Sequence, residues 1–274
     1  MTDFFRRNKL AALGFGMIVV LLVAALLGPW LAPYDVAAQR LEDRLTGPTW
    51  HHPFGTDDLG RDILSRILLG ARVSMRVGAT VVLLSGIFGV LVGGLAAYVG
   101  GRLDAFVTAV VINSLMAFPG TLLAIALVAF LGPGLDKLIF ALTIIGWVGY
   151  ARLARGQVLK VKTFEFVEAA RALGASRLRV FFHHVIPSII QPVLVQASIG
   201  MAGAILAEAS LSFLGLGITP PAPSWGAMLN DARNHLFDAP HMVIFPSMAL
   251  VITVLSFNLL GDALRDWLDP KTKT

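Results

Sequence analysis

Two adjacent histidine pairs, His51–His52 and His183–His184, are the residues of this chain best suited to metal chemistry, and Glu208 is the single charged residue in the apolar stretch 185–218. Consecutive residues do not share a helical face, so neither pair can present two imidazoles to one ion. No H-E-x-x-H or G-x-S-x-G accompanies them. His183 and His184 therefore read as helix-end or interface residues, and no metal site is expected. The chain also lacks a G-x-x-x-x-G-K-[ST] phosphate loop, so it is expected to bind no ATP and to catalyse nothing by itself. Glu208 follows Gly200 and Ala204 at four-residue spacing, on one face of a helix. A carboxylate at membrane depth costs ~2.5 kcal/mol or more. Glu208 either lies near the helix end and pairs with an arginine or a backbone donor, or lines a passage for a polar solute. Asn113, also within an apolar run, either bonds a neighbouring helix or lines the same passage. The candidate path residues are Asn113, Gly200, Ala204 and Glu208.

Those side chains need helices to hold them, and the composition says in what solvent. The 274 residues are 56% hydrophobic and 14% charged, with mean hydropathy +0.76. Soluble domains average about 25% charged residues, and a helix crosses a bilayer core in about 20 residues. Uncharged runs cover 10–34, 77–101, 105–135, 138–151 and 242–261, and the stretch 185–218 is broken only by Glu208. This predicts an all-α polytopic membrane protein with six transmembrane helices, the fourth recruiting flanking residues. The first run follows Arg6, Arg7 and Lys9. It is too long for a signal-peptide core and no A-x-A site follows, so it reads as a retained helix. The absence of cysteine excludes disulfides and thiolate metal sites.

Small residues at 89, 93, 97 and 101 in the second run predict close helix packing. Pro119, in MAFPG, predicts a kink in the third. In DDLGRDILSRILLGARVSMR, residues 59, 63, 67 and 71 are apolar at four-residue spacing, while Arg61, Asp62, Arg66 and Arg72 fall largely elsewhere. This predicts an amphipathic helix at the membrane surface before the chain turns inward. Gly215, Gly217 and three prolines to residue 223 predict irregular backbone after the fifth helix.

With the N-terminus in the cytoplasm, alternation places 14 of the 22 Lys and Arg in cytoplasmic segments, as the positive-inside rule asks. The divisions are a cytoplasmic N-terminus 1–9, a first span 10–34, an outside loop 35–76, a permeation core 77–262 containing the cytoplasmic loop 152–184, and a cytoplasmic tail 263–274. The loop 35–76 conflicts in part, with six arginines beside six acids. The net charge of +5 orients the chain; with no basic stripe on a soluble domain, nucleic acid is not an expected partner.

A polar interruption between two long apolar runs contains VEAARALGASRLRVFFHHVIP, residues 167–187. Residues 164–173 predict a short helix with Glu165 and Glu168 in its first turns, where acids suit the macrodipole. Gly174 supplies a break, and Ser176 caps a second helix running toward Pro187. Such a helix–turn–helix projecting from the membrane can transmit force to a partner that grips it.

The stretch resembles the EAA motif of ATP-binding-cassette importer permeases, with Glu168, Ala169, Ala170, Gly174 and Pro187 in register, and His184 and Ile186 at the positions of an isoleucine and a leucine. Residues 54–74, 116–120, 209–229 and 257–271 are similar to the dipeptide/oligopeptide/nickel permeases, C-type subunit. The resemblance implies the type I importer permease fold and an ATPase-coupling role for Glu165, Glu168, Ala169, Ala170, Leu173, Gly174, Ala175 and Pro187. It also implies a second permease subunit, two ATPase subunits that bind ATP and Mg, an extracytoplasmic solute-binding protein, and residence in a bacterial inner membrane. Relatives often carry Arg and Asp where this chain has Val110 and Asn113. Peptide is the expected cargo, with glutathione-type compounds or nickel as alternatives. A gradient-driven carrier would be expected to show more intramembrane charge and often a repeat; the chain shows one candidate acid and no repeat.

Overall fold

The computed structural model describes residues 8–268. Arg6 and Arg7 of the basic flank and the tail 269–274 lie outside the described residues. The helices are α1 (Lys9–Leu31), α2 (Ile63–Val99), α3 (Gly101–Met116), α4 (Gly120–Leu131), α5 (Leu135–Val161), α6 (Glu165–Ala172), α7 (Arg177–Phe213), α8 (Trp225–Ala232) and α9 (His241–Leu268). Among the described residues no β-strand forms. Five helices are long and apolar enough to span a membrane, and the pair α3–α4, bent at its break, makes a sixth when counted as one span.

The expected kink at Pro119 is a break, with α3 and α4 meeting at 80°. Pro119 itself is the N-cap of α4, where its missing N–H removes no helical bond. Upstream, α3 is π-helical over Val107–Ile112. The fourth span extends at both ends of its apolar run, as a helix of 27 residues.

One expectation is corrected at α2. The amphipathic stretch is no separate surface helix. Nothing between Ile63 and Val99 breaks the helix, and a single helix of 37 residues runs through both the stretch and the second span. Leu59 precedes it in a turn, and Asp62 caps it by accepting from the Ser65 N–H at 2.8 Å. Arg61, Asp62 and Arg66 are buried rather than facing water.

The small residues of α2 do pack as expected, against α5. Gly93 lies on the Ala151 backbone, Gly89 on Trp147 and Tyr150, and Ala97 is fully buried. A Cβ on Gly93 would overlap that backbone, which explains why no larger residue fits. Gly101 is not part of this face: the chain breaks at Gly100, φ 74°, and Gly101 opens α3. A bidentate pair from Arg155 to Asp104, at 2.7 and 2.9 Å, ties α3 back to α5. At the other face α1 lies on α2 and α9, and α7 lies on α2, α5 and α9.

Candidate coupling knob and transport cavity

The knob is a short helix seated mainly by one buried side chain. α6 carries Glu165 and Glu168 in its first turn and Arg171 in its last, each where the helix dipole favours its charge. It stops because Gly174, φ +84°, enters the left-handed region. The Gly174 N–H donates to the Arg171 carbonyl at 3.0 Å and the Ala175 N–H to the Ala170 carbonyl at 3.1 Å. That bond pair is a Schellman ending, which favours glycine at this position. Ser176 then caps α7, its Oγ accepting from the Arg179 N–H at 3.4 Å, as the sequence predicts.

Val167 is the anchor. It is fully buried among Ala97, Val158, Val161, Val180 and Phe181, drawn from α2, α5 and α7. Arg171 lies over the Tyr98 ring at 5.2 Å, and the Lys162 Nζ donates to the Ala97 carbonyl at 3.0 Å. Ala170 and Ala175 pack against the same cluster from its edge, and the remaining knob residues face outward. Glu165, Glu168, Ala169 and Gly174 are exposed, Ala170 and Ala175 are half-buried, and Leu173 is 88% exposed. Phe164 and Phe166 are exposed beside them. Pro187 lies farther along α7, exposed, after a π-helical segment that holds His183 and His184. Among the described residues no three His, Cys, Asp or Glu side chains cluster for a metal.

The four candidate path residues do not come together. Gly200 and Ala204 line a cavity of about 330 Å³ between α2, α4, α5 and α7. Glu208 is outside it and fully buried. Eight residues along an α-helix rotate the side chain by about 80°, enough to turn Glu208 from the face of Gly200. Its donors are hydroxyls, with Ser74 Oγ at 3.1 Å and Ser212 Oγ at 2.8 Å. Ser224 bonds it as well, and accepts from the Ala227 N–H to cap α8. The carboxyl thus joins α2, α7 and the start of α8. Asn113 is exposed in a separate cleft with Thr108, Arg152 and Arg155.

Sequence reasoning missed a second assembly, at the N-terminal end of α2. Arg61 Nε bonds Asp57 at 2.6 Å, and its terminal nitrogen reaches Asp231 of α8 at 3.1 Å. Arg66 reaches Asp57 at 3.2 Å and Asp231 at 3.5 Å. Burial pushes the Asp231 carboxyl up from its ordinary range, and Arg66 and Arg61 pull it back. His52 bonds Asp62 at 2.8 Å, and Trp225 Nε1 donates to the Ile67 carbonyl at 3.1 Å. The charged residues of 57–66 were visible in the sequence. Asp231, more than 160 positions away, was not a visible partner.

Comparison with known proteins bears on the whole chain. Residues 89–274 match the family model described as binding-protein-dependent transport system inner membrane component. Residues 3–48 match the N-terminal TM domain of oligopeptide transport permease C. The dipeptide transport system permease protein DppC of Alkalihalophilus pseudofirmus is 42% identical over 98% of this chain and 88% of its own. The glutathione transport system permease protein GsiD is 44% identical in Escherichia coli O6:K15:H31, over 98% of this chain and 89% of its own. In Pectobacterium atrosepticum GsiD is 45% identical, over 99% and 91%. Among solved structures, an inward-facing form of the MetNI methionine ABC transporter aligns with TM-score 0.56 and 21% identity, covering 71% of this chain and 94% of that one. That likeness concerns the fold, the helical type I importer permease architecture. A continuous match over two thirds of the chain and relatives similar along nearly all of it leave one assignment: this chain belongs to the binding-protein-dependent transport system inner membrane component family, as a multi-pass permease subunit.

Proposed function

We propose that this chain is one of two permease subunits of an ATP-driven importer, and that it carries di- or oligopeptides delivered by a solute-binding protein. The observation that supports it most is the knob at 164–176, seated by Val167 yet exposed on every motif residue from Glu165 to Gly174 except the half-buried Ala170. Exposed Leu173, Phe164 and Phe166 beside two acids offer apolar anchors with a charged rim, a composition suited to a protein partner. In this reading the knob faces the cytoplasm, both termini are cytoplasmic, and the membrane is the bacterial inner membrane. Two ATPase subunits supply the ATP and Mg sites, and this chain supplies none. Closure of the ATPase pair pushes the knobs and biases the permeases toward an outward-open state. Release reverses it, an alternation driven by differential binding.

Peptide rests on the name of the DppC relative; the GsiD relatives favour a glutathione-type cargo as the second reading. The test is ATP-dependent uptake of a labelled dipeptide by vesicles holding the complete transporter, with glutathione as competitor. Dipeptide uptake that glutathione leaves untouched is the expected result. Uptake of glutathione alone would move the assignment to the second reading, and uptake that follows an ion gradient without ATP would remove both.

A further inference from the structure

We propose that the cavity between α2, α4, α5 and α7 is a subsite for an apolar side chain of the transported peptide, with the Tyr150 hydroxyl as its hydrogen-bonding anchor. This rests on the peptide-import reading and names where that cargo is recognised within the permease.

Three observations carry it. The cavity, of about 330 Å³, has apolar walls that include Val81, Val82, Ala124, Ile125, Leu142 and Ile145. No charged residue lines it, so an ionic group would lose its hydration without compensation. Tyr150 is 4% exposed and borders this space, yet its hydroxyl has no hydrogen-bond partner. Buried polar groups are normally paired, and an exception calls for a missing partner. Of the other polar groups of the lining, Ser85 is spent on the Thr143 carbonyl and Ser210 on the Leu206 carbonyl, while the Thr121 hydroxyl and the Gln196 amide stand at the wall beside Tyr150. Finally, glycines keep the space open. A Cβ on Gly200 would lie 2.5 Å from the Tyr150 hydroxyl, whereas a Cβ on Gly203 would meet no atom within 4 Å.

A largely apolar chamber with a buried unpaired hydroxyl and two further polar side chains, Thr121 and Gln196, fits a ligand with an apolar body and an adjacent amide. A peptide side chain with its backbone carbonyl has that form. A lipid acyl chain fills the walls but leaves the hydroxyl unpaired.

The test uses the complete transporter with its binding protein in proteoliposomes, and labelled Ala-Ala and Ala-Phe as probes. Gly203→Leu places a branched side chain in the chamber and is expected to lower the Ala-Phe to Ala-Ala uptake ratio about tenfold or more, the scale of one lost apolar burial. Tyr150→Phe removes only the hydroxyl and is expected to lower uptake of both probes about fivefold, the scale of one hydrogen bond. Because the chain has no cysteine of its own, Gly203→Cys gives a second readout. Its alkylation by a maleimide is expected to slow with Ala-Phe more than with Ala-Ala, and this decides the matter if Gly203→Leu does not assemble. An unchanged uptake ratio with equal protection by both dipeptides would overturn the subsite while peptide import stands, and identify the chamber as a lipid- or water-filled void. No dipeptide uptake by the wild-type transporter would remove the import reading, and the subsite with it.

Discussion

Around Arg66, buried Asp57 and Arg61 and the partly exposed Asp231 interlock across the 57–61 turn, α2 and α8. Around Gly174, a comparable length of chain is seated by buried Val167, the half-buried Ala170 and Ala175, and Arg171 on the Tyr98 ring. The first region has its partners within the chain. The second exposes Leu173, Phe164 and Phe166, uncovered by any of the described residues. A buried ion cluster resists deformation because each charge needs the others. A small knob seated on α2, α5 and α7 can move as one piece when those helices shift. The contrast separates a region that keeps its shape from a region that offers an exposed apolar surface, as the proposed coupling role requires.

Substitutions can break that contrast, and the largest effect is expected at the ion cluster. Arg66→Met strands Asp57 and Asp231 against Arg61 alone, and should cost about 3–5 kcal/mol of stability, read as a lowered unfolding midpoint in detergent. Val167→Ala removes about two buried methyl equivalents, or about 2 kcal/mol. Its signature should be loosened protection of α6 in hydrogen exchange with the spans unaffected; uniform loss would show that the knob is not a separate unit. Gly174→Ala places its Cβ in open space, so only the left-handed backbone is strained, at about 1 kcal/mol. Glu168→Ala changes an exposed side chain and should leave stability within about 0.5 kcal/mol. Under the proposed coupling role it should nonetheless weaken ATPase recovery with the purified chain.

The spans and the knob were legible for related reasons. Charge-free length announces a span in any context, and Gly174 with Ser176 announces a helix stop and restart through local backbone chemistry. The rest needed distance information. The apolar spacing of residues 63–71 is the same whether the helix lies on a membrane or enters it, and continuity of α2 follows only from the absence of a breaker. Arg61 and Arg66 looked solvent-facing because Asp231 is remote in sequence. Glu208 shared a nominal face with Gly200, but the small rotation per four residues, doubled, carried it to Ser74 and Ser212 instead. Tyr150 gave no signal at all, since its significance lies in the cavity that α2, α4 and α7 close around it.

The central claim is that the exposed knob is the grip for an ATPase. The direct measurement is to tag this chain, extract it gently from its native membrane, and compare what co-purifies with wild type and with Gly174→Val. The account predicts that wild type brings down a second permease and its ATPases, and that Gly174→Val retains the second permease while losing the ATPases. Equal ATPase recovery with both chains would contradict the coupling role of the knob, and a stable homo-oligomer without any ATPase would contradict the importer itself.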